Sequence, residues 1–124
     1  FKRILGAVLA VSTAMAAPIV IAPTKGTVPM QVVWVQGANV NQSYRKLALE
    51  FQAEAAASGY KVWVGITDFI FDTPEPVLID KAVKETQAAM TKAGASGDQF
   101  LAAHSLGTVM TQDYIVKNPD TFKG

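Results

Sequence analysis

One stretch of this chain holds the residues best suited to chemistry: QFLAAHSLGTVMTQDY, Gln99 to Tyr114. Ser105 stands in it between His104 and Leu106-Gly107. A serine hydroxyl attacks a carbonyl only when a base removes its proton, and that base is usually a histidine held by a carboxylate. The chain contains one histidine, His104, immediately before the serine. Adjacent residues at a strand end point to opposite faces. The His104 ring is therefore expected to turn away from the Ser105 hydroxyl, into the packing beneath the turn. The pattern offers a nucleophile and, among these residues, no base for it.

The elements around Ser105 give it a place. Three short apolar runs have the make-up of strands covered on both faces: Val32 to Val35, Tyr60 to Ile66 (YKVWVGI) and Phe100 to Ala103. Each is followed by residues at helical spacing. After the first come Tyr44, Leu47, Ala48, Phe51 and Ala55. After the second come Ile79, Ala82, Val83, Ala89, Met90 and Ala93, with Thr73 and Pro74 expected as cap and first helical residue. After the third come Leu106, Val109, Met110 and Tyr114, a helix that Asn118-Pro119 stops. Strand and helix alternate three times, which predicts an α/β, three-layer architecture with a mostly parallel sheet.

Ser105 thus falls at a strand-to-helix turn, Ala103-His104-Ser105-Leu106-Gly107-Thr108. Small residues at Ala103 and Gly107 let strand and helix approach closely. Such a turn pushes the serine side chain out at the carboxyl end of its strand and aims helix N-terminal amides at charge developing nearby. At these residues the chain resembles the α/β-hydrolase superfamily, and within it the lipase and esterase branch, whose elbow commonly reads G-H-S-L-G-G. The resemblance covers residues 32–124, with alanine for the first glycine of the motif and threonine for the last.

That resemblance implies a partial α/β-hydrolase fold in which the Val33 strand lies between those of Val62 and Leu101. It implies Ser105 as nucleophile, with the backbone N–H groups of Ala38 and Leu106 as the oxyanion hole. Gln36 stands where many members carry histidine, in the loop Gln36-Gly37-Ala38. In the family the catalytic acid and base follow later strands, so Asp68, Asp72 and Glu75 are not expected to serve, and the segment NPDTFKG is expected to lead toward a further strand. The chain reads as the amino-terminal part of a serine hydrolase acting on small-molecule or lipid esters. No metal or organic cofactor is implied. Gln36, Phe69 and Phe71 are candidate pocket residues at the functional edge. For Phe69 and Phe71, folding back onto the sheet as core is an equal alternative. Two other readings stay open: a non-catalytic binding protein on a hydrolase fold, and a short secreted protein in which the Ser105 turn is only structural.

Composition bounds the rest. Of 124 residues, 50% are hydrophobic and 17% charged, a globular balance for one modest domain. Lys2-Arg3, the apolar run from Ile4 and the small residues Ala14-Met15-Ala16 read as a secretory signal peptide over 1–16, which predicts secretion. The run is short for a stable membrane span, which needs about 20 residues. Residues 17–30, rich in proline, read as a lead-in loop or linker, and 31–124 as the domain. Without Lys2 and Arg3 the chain carries nine basic and ten acidic residues, a net charge of −1. Its lysines are scattered, which predicts no nucleic-acid partner. With no cysteine and one histidine, neither disulfides nor a zinc site is expected. The sequence does not fix the oligomeric state.

Overall fold

A computed structural model describes residues 17–38, 41–69 and 73–124. The leader expected over 1–16 lies outside the described residues, as do Phe71 and Asp72. Four strands form one sheet: β1 (Ile19–Ile21), β2 (Val28–Val35), β3 (Tyr60–Ile66) and β4 (Asp98–Ala103). Three helices connect or follow them: α1 (Asn41–Ala57), α2 (Ile79–Lys92) and α3 (Leu106–Lys117). The spatial order is β1-β3-β2-β4. Val33 is the register point of the parallel core, opposite Gly65 on β3 and Leu101 on β4. The strand of Val33 lies between those of Val62 and Leu101, as the resemblance implies.

The run Val32 to Val35 is apolar at successive positions because β2 is covered on both sides. Val32 joins Val62, Val64 and Ile66 on one face, packed against Tyr44 and Ala48 of α1. Val33 and Val35 join Trp63 on the other, packed against Ile79, Ala82, Val83 and Met90 of α2 and Tyr114 of α3. Val33 and Val35 are wholly buried. Each such side chain contributes about 1.5–3 kcal/mol relative to exposure. α2 comes close to the sheet at Gly65, where a Cβ would stand 2.4 Å from the Met90 sulfur.

The structure differs from the sequence reading in three places. The stretch 17–30 is more than a loop. Ile19–Ile21 pairs antiparallel with β3, Val20 opposite Gly65, and β2 already begins at Val28. Three β-branched residues bracketed by Pro18 and Pro23 suffice to zip onto a free edge. Second, α2 begins at Ile79, after a 3₁₀ turn over Pro76–Leu78, rather than at Pro74. Pro76 forces Glu75 into extended backbone, φ −132° and ψ 142°, so a helix cannot run through it. Third, the apolar stripe of α1 is only partly covered: Tyr44 and Ala48 are buried, while Leu47 and Phe51 are exposed.

No helix of the described residues is long and apolar enough to cross a membrane. The last two residues run along the outer edge of β4 in its own direction. Lys123 donates its N–H to the Gln99 carbonyl at 2.8 Å, and the Gly124 carbonyl accepts from Leu101 at 2.9 Å.

Candidate active site

The site is built where β2 and β4 end side by side. Trp34 pairs with Ala102 and Val35 with Ala103. One further backbone bond, from His104 N–H to the Val35 carbonyl at 3.2 Å, carries the ladder past the strand end. The chain then turns directly into α3. Gly107 donates to the His104 carbonyl at 3.0 Å and Thr108 to the Ser105 carbonyl at 2.9 Å.

Between these bonds sits Ser105 with φ 54° and ψ −124°. Among the described residues it is the one non-glycine with positive φ. That backbone region costs a side-chain-bearing residue about 1–3 kcal/mol and persists only where the surroundings impose it. Here they do. A Cβ on Gly107 would stand 2.4 Å from the Gln36 carbonyl oxygen and 2.6 Å from that of Val35. The missing side chain lets the first turn of α3 rest on the end of β2. The result is an exposed serine at a helix N-terminus, beside Leu106, whose leading amide has no partner within the helix.

The β2 loop meets the elbow at Gly37. A Cβ there would lie 3.3 Å from the Ser105 Cβ and 2.9 Å from the Tyr44 hydroxyl. The Gly37 N–H donates to that hydroxyl at 2.8 Å. The same oxygen lies 2.6 Å from His104 Nδ1, and the two rings meet edge-on at 5.7 Å. In the Nε2–H tautomer Tyr44 donates to Nδ1; in the Nδ1–H tautomer the direction reverses. Either way the imidazole is engaged with α1, and His104 is exposed rather than enclosed in packing beneath the turn as the sequence leads one to expect.

The other sequence-derived candidates fall differently. Ala38 follows Gly37 in the same loop, half-buried. Gln36 is fully enclosed, and Phe69 is 4% exposed within the core of α2 and α3. Phe69 therefore takes the core place that was the alternative to a pocket wall. Of the acids, Asp68 is half-buried just beyond β3 and Glu75 is exposed. Sequence reasoning gave Tyr44 no role beyond the apolar stripe of α1. Its hydroxyl was the only signal: a buried tyrosine needs a partner for it.

No protein-family model and no curated protein matches the chain. Among solved structures, the chain is similar to the crystal structure of a probable hydrolytic enzyme from Pseudomonas aeruginosa PAO1. Identity is 16% and the TM-score 0.51, over 86% of this chain and 34% of that one. The chain thus spans about a third of that enzyme's length. At this identity the likeness shows the fold: an α/β, three-layer arrangement with a mostly parallel sheet, corresponding to part of a hydrolase-like fold.

Proposed function

We propose that Ser105 is the nucleophile of a serine hydrolase that transfers the acyl group of a carboxylic ester to water. The observation that carries this reading is the backbone of Ser105 itself. A turn serving only to join β4 to α3 would place glycine at φ 54°, without strain. Serine there holds a hydroxyl at the carboxyl end of the sheet, where open α/β sheets bind ligands.

In the proposed reaction the Ser105 oxygen attacks the acyl carbonyl. The N–H groups of Ala38 and Leu106 hold the oxyanion, and the alcohol leaves from an acyl-enzyme that water then hydrolyses. The Gly37 N–H already serves Tyr44, which favours Ala38 as the loop's donor. Adjacent residues at a strand end point to opposite faces, so His104 is not proposed as the base, and the proton is proposed to pass to a histidine and an acid outside these 124 residues. The substrate is proposed to be a small-molecule or lipid ester met after secretion through the leader at 1–16.

The experiment is ester turnover by the product of the complete reading frame, with a fluorophosphonate that labels activated serines. The expected result is one covalent adduct on Ser105 and loss of turnover with it. Full labelling with turnover intact, or an adduct on another serine, would sink the reading.

A further inference from the structure

Two loops define an oxyanion site here, one from β2 and one from β4, and their relative position decides whether two amides converge on one oxygen. Among the described residues a backbone bond ties them, from His104 N–H to the Val35 carbonyl at 3.2 Å. A second tie is made by a side chain from neither loop. Tyr44, 5% exposed, sends its hydroxyl from the first turns of α1 to both, 2.8 Å from the Gly37 nitrogen and 2.6 Å from His104 Nδ1.

We infer that Tyr44 is a positioning residue for the oxyanion site: its hydroxyl clamps the β2 loop to the elbow and so holds the loop that carries the Ala38 N–H against Ser105. This rests on the reading of Ser105 as an acyl-transfer nucleophile. Three observations support it. The bond to Gly37 anchors the peptide that enters the loop, one residue before the Ala38 amide. Gly37 lacks the Cβ that would stand 2.9 Å from the Tyr44 oxygen, so the close approach depends on the glycine. The hydroxyl also adds nothing to core filling. The ring already packs with Ala48, Val32 and Val64 and lies 6.0 Å from the Trp34 ring, and phenylalanine would fill the same space.

Tyr44→Phe in the product of the complete reading frame removes the link and keeps the packing. The expected result is a kcat lower by about ten- to a hundredfold with KM within about twofold, the signature of an interaction felt in the transition state. A trifluoromethyl ketone, which adds to the serine and places an oxyanion in the hole, should bind more weakly by a similar factor. Unchanged kcat in Tyr44→Phe overturns the inference. So does a fall in kcat that leaves the ketone's affinity unmoved, since that is what loosened packing alone would give. If Tyr44→Phe does not fold, the same measurements on His104→Ala, which removes the partner at the exposed end of the link, decide: a parallel fall in kcat and ketone affinity supports the clamp, and anything else overturns it. Ser105→Ala separates the two levels. If it leaves turnover intact, the reading of Ser105 fails; if it abolishes turnover while Tyr44→Phe is silent, only the clamp fails.

Discussion

β3 and β4 leave the same edge of the sheet and both lead into helices, by opposite means. Between Ile66 and α2 lie residues 67–78, with Pro74 and a 3₁₀ turn over Pro76–Leu78. Between Ala103 and α3 lie two residues, His104 and Ser105, one of them at φ 54°. The long connection spreads the change of direction over many dihedrals and strains none of its described residues. The short one concentrates it in a single serine. A short connection can be made without strain by using glycine, so length alone does not explain a serine there. On the proposed reading, what explains it is a hydroxyl that must project from the sheet edge beside two sets of amides.

That contrast can be broken most forcefully at Gly107. Its Cβ would meet backbone oxygens of Val35 and Gln36, which cannot swing aside. Gly107→Ala should cost about 3 kcal/mol in urea unfolding, at the upper range for overpacking. A cost under about 0.5 kcal/mol would mean the elbow is not pressed onto β2. Gly37→Ala is milder, because it meets side-chain atoms that can give. It should cost about 1 kcal/mol and, by displacing the loop, lower ester turnover about tenfold or more.

Ser105→Gly sharpens the comparison with the opposite sign. Relief of the strained φ should stabilise the protein by about 1 kcal/mol while turnover disappears. Thr73→Gly, in the relaxed connection, should bring no gain. Equal effects at the two sites would remove the distinction between the exits.

The smallest effect is at Tyr114, where α3 meets the start of α2. Burial raises its pKa above the ordinary tyrosine value, and the nearby Asp80 charge adds to this, while Lys84 and a hydrogen bond with Thr121 act against it. The folded state therefore favours the protonated phenol. That stability is fully present below the unfolded pKa of about 10 and is lost as pH rises through the higher folded value. Thermal midpoints should fall more steeply above pH 10 in the wild type than in Tyr114→Phe.

The sequence made the parallel core legible because runs such as Val32 to Val35 are apolar at successive positions, which only a doubly covered strand requires. The elbow was legible because small residues flank Ser105 and a strand and a helix adjoin it. Other features depend on tertiary partners and were not legible. Ile19–Ile21 becomes a strand because β3 offers an edge. The start of α2 is displaced because Pro76 outweighs the cap expected at Thr73. The second role of Tyr44 is set by where Gly37 and His104 lie after folding, 7 and 60 residues away along the chain. Spacing alone assigns Tyr44 to the apolar stripe.

The central claim is that the strained residue is the reacting one. Its most direct measurement is ester turnover by the product of the complete reading frame beside its Ser105→Ala variant, both shown to be folded and monodisperse. With Ser105 as nucleophile, kcat should fall about 10⁴- to 10⁶-fold, the scale seen when a triad member is removed. Turnover within tenfold of wild type would contradict it and leave Ser105 as a turn residue.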